Sequence, residues 1–357
     1  MSVKKTVLVD LGKLKNLYTG LGQVSWNYGQ ELLSTKDENL EWRFLIPKGY
    51  EKDFGQPPVT EILSSKRRYF PSLCFRYDLW HAIHQDSAYL PAISPETKYI
   101  LTIHDLIFLK EKTGRKATDR LKRLQKKVDR ADALVFISEY AKAEVLASVK
   151  VGDKPMHIIY NGVHTSGSTL LERPSFLPEG NFLFSIGSLI KKKNFHVLID
   201  FIKKMPLHNL VIAGHKEGEY ADFIREKISA YGLEQRIILP GAVDDTTKAY
   251  LYENCEAFCF PSLHEGFGLP VIEAMRYGKP VFSSDLSSLP EIGGEHAFYW
   301  KNFNPEQMAN VFQQGMIQFN KDQAAQSKAM IDYSYKFTWR KNVIAHIELY
   351  KEILKLK

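Results

Sequence analysis

Short apolar runs alternate with longer amphipathic stretches along the whole chain. Thr6–Val9, Arg43–Ile46, Tyr99–Ile103, Ala133–Ile137 and His157–Ile159 each read as a strand. Further on, so do Phe182–Ile186, Leu210–Ala213, Arg236–Leu239, Ala257–Phe260 and Pro280–Ser283. Helical patterns fill the intervals. Strand–helix alternation predicts α/β layers around parallel sheets, and two groups of strands predict two sheets. Between the groups, Thr165–Gly180 holds Ser, Gly and Pro without apolar periodicity and reads as a linker. Near the end, Val343, Ile347, Tyr350 and Ile353–Leu354 fall at helical spacing, so Trp339 to Lys357 reads as a last helix.

Length agrees with that division, since 357 residues are comfortable for two cores. Cys74, Cys255 and Cys259 form no disulfide framework, and the Cys255/Cys259 spacing has no companion pair that would suggest a metal. The strand-like start, Val3 to Asp10, does not read as a signal peptide. No apolar run approaches the roughly 18 residues of a membrane span. A cytoplasmic protein with reduced thiols is expected. The formal charge of +7 is uneven. From Lys110 to Arg130 there are ten Lys/Arg and three Asp/Glu, and Ser65-Lys66-Arg67-Arg68-Tyr69-Phe70 adds a basic cluster with aromatics. One reading is a solvated helix face. The other is attraction to an anionic membrane surface or a diphosphate-bearing acceptor. Nucleic acid is not expected, because no binding motif accompanies the charge.

The chemistry concentrates between Pro261 and Met275. Here an apolar run, Ala257-Phe258-Cys259-Phe260, leads into a loop with Gly266 and Gly268, and then into a helix opened by Pro270. Gly278 marks the exit, so the helix is expected from Pro270 to Tyr277. Its free N–H groups and dipole favour an anion such as phosphate. Glu265 and Glu273 lie eight positions apart, one before the helix and one a turn inside it. Carboxylates accept hydrogen bonds from vicinal hydroxyls, so sugars and ribose are natural partners. The ordinary alternative is a capped helix with two solvated glutamates. Elsewhere, Lys192-Lys193-Asn194 follows a strand and suits a diphosphate, or is simply a solvated lysine run. Thr19-Gly20-Leu21-Gly22-Gln23 follows the first strand as a glycine loop, or a plain tight turn. Thr102-Ile103-His104-Asp105-Leu106 ends another strand, and a His-Asp pair there is a candidate for chemistry.

In this order along one chain, these segments resemble the retaining, nucleotide-sugar-dependent glycosyltransferases of family 4. Tyr160-Asn161-Gly162-Val163, Ser185-Ile186-Gly187-Ser188-Leu189, Gly241-Ala242-Val243, Ser288-Leu289-Pro290-Glu291 and Phe337-Thr338-Trp339 add to the match. The resemblance implies the GT-B fold, α/β, with two Rossmann-like domains facing across a cleft. It implies an acceptor domain over 1–165, a donor domain over 175–335, and a final helix over 336–357 that returns to the first domain.

The resemblance also implies roles. His104, Lys193 and Glu265 would be catalytic, His104 touching the transferred sugar near its anomeric centre. Gly20, Lys192, Lys193, Val243, Glu265, Gly266, Phe267, Gly268, Leu269 and Glu273 would hold the donor. Glu273 would take the ribose and the lysines the diphosphate. Asp105 would orient His104 or meet the acceptor, and Ser138 would contact the acceptor. Gln23 and Ser188 stand where many relatives have arginine, and Lys192 occupies another usual arginine position, a looser grip than a bidentate fork. Without an Asp-x-Asp, no metal and no cofactor are expected. The segments also resemble bacterial mannosyltransferases of surface polysaccharide synthesis. They imply GDP-mannose first and a UDP-hexose second, with a saccharide or lipid-linked saccharide acceptor, in the cytoplasm or peripherally at the inner face of the membrane. An epimerase or a phosphorylase of the same fold would need further acidic residues or a cofactor lysine, and neither signature stands out. A non-catalytic nucleotide-sugar binder is the rival from another class.

Overall fold

The computed structural model describes residues 4–17, 19–55, 60–63, 77–89, 96–111, 114–163 and 172–356. The chain divides into two compact units, Met1–Gly162 with Phe337–Lys357, and Val163–Lys336.

Among the described residues, the first unit is built on seven parallel strands. These are β1 (Lys5–Asp10), β2 (Leu40–Ile46), β3 (Thr60–Ile62), β4 (Leu79–Ala82), β5 (Lys98–Ile103), β6 (Ala133–Phe136) and β7 (Met156–Ile158), in the order β3-β2-β1-β4-β5-β6-β7. The central strands are apolar almost throughout because helices cover both faces. Strand order reverses between β1 and β4, which opens a crevice at their carboxyl ends. β3 and β4 lie outside the expected set. β3 is a three-residue edge strand carrying Glu61, and His81 interrupts the apolar signal of β4. The last helix, Trp339–Leu354, packs on the helix Gly20–Ser34. The Tyr350 hydroxyl lies 2.5 Å from that of Tyr28 and 2.6 Å from His81 Nδ1, while Asn342 Nδ2 donates to Tyr160 O. A Cβ on Gly162 would fall 2.2 Å from the Trp339 nitrogen, so only glycine permits this approach.

The second unit has six parallel strands, β8 (Phe182–Ile186), β9 (Asn209–Ala213), β10 (Ile237–Gly241), β11 (Ala257–Phe260), β12 (Val281–Ser284) and β13 (Ala297–Trp300), in the order β10-β9-β8-β11-β12-β13. β13 is an aromatic edge strand that the sequence reading omitted. The reversal here falls between β8 and β11. Residues leaving β8 and β11 therefore meet at one edge, although more than 70 positions separate them.

Part of the expected linker, 165–171, lies outside the described residues, as do the basic cluster 65–70, Lys112 and Cys74. Cys255 and Cys259 are free and buried. Among the described residues, no helix is long and apolar enough to cross a membrane.

Candidate active site

In the second unit the chain leaves β8 through Gly187, at φ +148°. A Cβ on the neighbouring Gly214 would fall 2.0 Å from the Gly187 oxygen, so the two glycines let the ends of β8 and β9 touch. A short 3-10 turn, Lys191–Lys193, follows and ends on Asn194 in the left-handed region (φ 59°). The helix after it runs His196–Lys204. That turn is stitched to the loop beyond β11, because the Lys192 oxygen accepts from Leu263 N at 2.8 Å and from Ser262 Oγ at 3.2 Å.

The result is a close ion pair. Lys193 Nζ lies 2.6 Å from Glu265 Oε1, and the two side chains are 13% and 14% exposed. Ser262 Oγ donates to the same carboxylate oxygen at 2.7 Å. Lys193 also sits over the Phe260 ring, 4.8 Å from its centroid. Burial pushes the Glu265 carboxyl up, but the Lys193 charge and hydrogen bond, the Ser262 hydroxyl and Lys192 outweigh it. The net shift is below the usual range, and Glu265 is ionised at neutral pH.

The loop holding Glu265 is shaped from below by serines. Ser287 Oγ accepts from Glu265 N at 3.0 Å, and Ser288 Oγ donates to the Glu265 and Phe267 oxygens. Gly268, at φ +112°, then turns the chain into the helix Leu269–Arg276. A Cβ there would lie 2.6 Å from Leu289 Cδ2. No side chain caps this helix, and Pro270 sits in its first turn. The helix therefore begins one residue earlier than expected, at Leu269, and ends at Arg276 before Gly278 (φ 65°).

Glu273, one turn in, has partners that the sequence did not reveal. Tyr252 donates its hydroxyl to Oε2 at 2.8 Å, and Lys248 Nζ lies 3.7 Å from Oε1. The Glu273 charge raises the Lys248 pKa against the cost of burial. Both partners come from the helix Asp245–Asn254, which starts immediately after the Gly241-Ala242-Val243 turn and is N-capped by Asp244. Val243 is half-buried at the head of that helix. One helix thus links Val243, expected to hold the donor, to the expected ribose carboxylate. Lys193, Glu265 and Gly266–Leu269 are brought together, and Glu273 follows a turn later. Lys248 and Tyr252, four apart on one helix face, are the signal that could have found the pair.

In the first unit, His104 follows β5 and is 4% exposed. Its Nε2 lies 2.8 Å from the Ile83 oxygen, which can only accept, so Nε2 carries the hydrogen and Nδ1 is left as an acceptor. Burial lowers its pKa to about 4, so the ring is neutral. Gln85, buried after β4, accepts from His104 N at 3.0 Å through Oε1 and donates to the Asp105 oxygen at 2.8 Å through Nε2. Its amide therefore sets the His104-Asp105 backbone. Gln85 was invisible in the sequence because it stands in a segment without periodicity.

One expectation changes here. The Asp105 carboxylate accepts from Ile107 N at 3.1 Å, and His104 is held by Ile83 and Gln85 instead, so Asp105 does not orient the imidazole. Ser138 is fully buried, and its hydroxyl accepts from Ala141 N at 3.0 Å as the N-cap of the helix Glu139–Ser148. It shapes the edge. Gly20 opens the helix Gly20–Ser34 with open space where a Cβ would lie, whereas a Cβ on Gly22 would fall 1.9 Å from the Asn16 oxygen. The steric need for glycine is at Gly22. Gln23 donates to the Leu17 oxygen at 2.8 Å.

The basic helix Arg115–Arg130 is partly spent on this same edge. Arg120 pairs with Asp86, and Lys127 donates to the Gln85 oxygen at 2.6 Å. Lys116, Lys122, Arg123 and Lys126 remain exposed.

Residues 170–337 match the family model of glycosyl transferases group 1, and residues 43–166 match that of Glycosyltransferase Family 4. The chain belongs to this glycosyltransferase family. It is 29% identical over 298 residues to the serotype-specific mannosyltransferase WbdA of Escherichia coli, covering 76% of this chain and 36% of that protein. The chain thus spans about a third of that relative's length. It is 22% identical to the O-antigen chain mannosyltransferase RfbU of Salmonella typhimurium, across 82% of this chain and 86% of RfbU. Anabaena HepE, solved in complex with UDP and glucose, superposes with a TM-score of 0.75 at 17% identity, covering 98% of this chain and 100% of HepE. The two parallel-sheet units are those of the GT-B fold. As a glycosyltransferase of this family, the chain places an ionised glutamate, a lysine and a glycine-opened helix start at the switch point of its second sheet, where such sheets bind ligands.

Proposed function

We propose that the chain is a retaining, metal-independent hexosyltransferase. It takes mannose from GDP-mannose and passes it to a saccharide or lipid-linked saccharide in the synthesis of a bacterial surface polysaccharide. The Lys193–Glu265 pair beside the uncapped start of the helix Leu269–Arg276 carries this reading. Lysines and helix N–H groups complement a diphosphate without a metal, and an ionised glutamate accepts from sugar hydroxyls. Glu273, steadied by Lys248 and Tyr252, suits a ribose diol. In the first unit, neutral His104 offers Nδ1 to a sugar hydroxyl.

In front-side attack, the acceptor oxygen bonds the anomeric carbon on the face from which the phosphate leaves. The phosphate oxygen takes the acceptor's proton, so configuration is kept. Glu265, salt-bridged to Lys193, is occupied as a binding group rather than as the close nucleophile of a retaining hydrolase. The mannosyltransferase names of two relatives support mannose. The UDP-glucose bound by HepE supports the second reading, a UDP-hexose donor. Site, in this proposal, is the cytoplasm, with peripheral contact at the inner membrane face through the exposed lysines of the helix Arg115–Arg130.

A thermal-shift panel of nucleotide sugars tests the donor. GDP-mannose is expected to raise the melting temperature most, and a larger shift from UDP-glucose would turn the assignment to the second reading. Transfer that EDTA abolishes and Mg²⁺ restores would refute metal independence.

A further inference from the structure

The face that the last helix turns inward is not wholly apolar. Among Val343, Ile347 and Tyr350 it carries Trp339, Asn342 and His346, at positions i, i+3 and i+7 of one helix face. All three are at least nine-tenths buried, at 7%, 4% and 4% exposure. Each has one buried polar atom without a hydrogen-bond partner: Trp339 Nε1, Asn342 Oδ1 and His346 Nε2. All three residues line a single cavity within the first unit, together with Thr102, His104 and Asn161.

The polarity of each atom follows from what its other end does. Asn342 Nδ2 donates to the Tyr160 oxygen at 2.7 Å, so Oδ1 is the acceptor that remains. His346 Nδ1 lies 2.9 Å from the Asn342 oxygen, which can only accept, so Nδ1 carries the hydrogen and Nε2 is an acceptor. The indole N–H of Trp339 is a donor only. The set is one donor and two acceptors. Leaving three such atoms buried and unmade would be costly, since each forfeits its hydration without compensation.

We propose that this cavity is a site for one buried water molecule. Water accepts from Trp339 Nε1 and donates to His346 Nε2 and Asn342 Oδ1, which uses both its hydrogens. The cavity volume of about 10 Å³ is about what one water needs. A cation would meet the indole N–H, and an anion would meet two acceptors, so neither fits the set. The water ties together three side chains of the returning helix at a cavity also lined by Thr102 of β5 and by His104. It explains how three polar side chains are tolerated on a helix face buried against the first sheet. The site stands independently of the proposed transferase activity.

A crystal structure of the whole chain, at a resolution that places waters, is expected to show one well-ordered water within hydrogen-bond distance of at least two of the three atoms. A dry cavity, or the three atoms paired with protein groups, would overturn the proposal. In solution, oxygen-17 relaxation dispersion counts long-lived waters. Trp339→Phe combined with His346→Leu is expected to remove one relative to the parent chain, and an unchanged count in a folded double variant would also overturn it.

Discussion

Replacing Lys193 by methionine keeps most of the side-chain volume and removes the charge that faces Glu265. In the parent chain the two groups are 2.6 Å apart and both are largely shielded from water. Removing one partner of a buried pair costs about 3–5 kcal/mol when the remaining charge is fully enclosed. Ser262 Oγ stays 2.7 Å from the carboxylate and compensates in part, so about 2–3 kcal/mol is expected, below that range. Denaturant unfolding reports it, and Trp300, buried in the second unit, supplies the local fluorescence. Glu265→Gln, and the double variant, complete a cycle in which the two single costs do not add.

The loss has a direction with pH. In the parent chain the folded pKa of Glu265 lies below its unfolded value. Its contribution is therefore full above about pH 4.5 and is lost as pH falls through the folded pKa. In Lys193→Met, burial is opposed only by the Ser262 hydroxyl and Lys192, so the carboxyl moves upward and protonation relieves the variant. The difference between parent and variant should then be largest near pH 7 and shrink toward pH 4. A variant equal in stability to the parent at pH 7, or a cycle whose single costs add, would refute the pairing as the feature that organises this loop.

Gly268→Ala places a Cβ at φ +112° and 2.6 Å from Leu289 Cδ2, and about 1–3 kcal/mol of stability should be lost along with donor affinity; a melting curve and titration that match the parent would contradict the turn. Tyr252→Phe removes only the hydroxyl on Glu273, so the fold should survive while nucleotide-sugar affinity falls roughly five- to tenfold, about 1 kcal/mol, read by calorimetry. Burial holds His104 and His346 near pKa 4 and His81 and His84 well below the ordinary value, so the unfolded chain binds protons that the folded first unit cannot. Stability should be constant well above pH 6.5 and decline as pH falls toward 4, by about 2 kcal/mol at pH 5 for each of His104 and His346, with His81 and His84 adding in the same direction; a flat profile between pH 7 and 5 would count against neutral, buried rings.

Much of the fold was legible because the central strands are short, apolar and punctuated by glycine or proline, as Phe182–Ile186 and Ala257–Phe260 are. β4 was hidden because His81 is buried by hydrogen bonds to Tyr350 and Thr102, neither near it in sequence. β13 is an edge strand whose half-exposed residues blur the pattern, and β3 is only three residues long with a buried Glu61 in place of an apolar residue. At the candidate site, the residues with unusual backbone demands stood out: Gly268, Pro270 and the lysine turn. The residues that act through side-chain partners did not. Lys248 and Tyr252 look like ordinary helix residues until Glu273 is placed opposite them, and Gln85 matters only because β4 and β5 are neighbours. The Gly20–Gly22 loop shows the same limit, since the sequence offers two glycines and only packing against Asn16 tells which is required.

The central claim is that the second unit binds a nucleotide sugar through lysine, glutamate and backbone groups alone. Isothermal titration of GDP-mannose and UDP-glucose into the chain in EDTA, with Glu273→Ala in parallel, tests it most directly. Saturable one-to-one binding of at least one donor, weakened at least tenfold by Glu273→Ala, is the predicted result. Failure of the parent chain to bind either nucleotide sugar, or equal binding by the variant, would contradict the account.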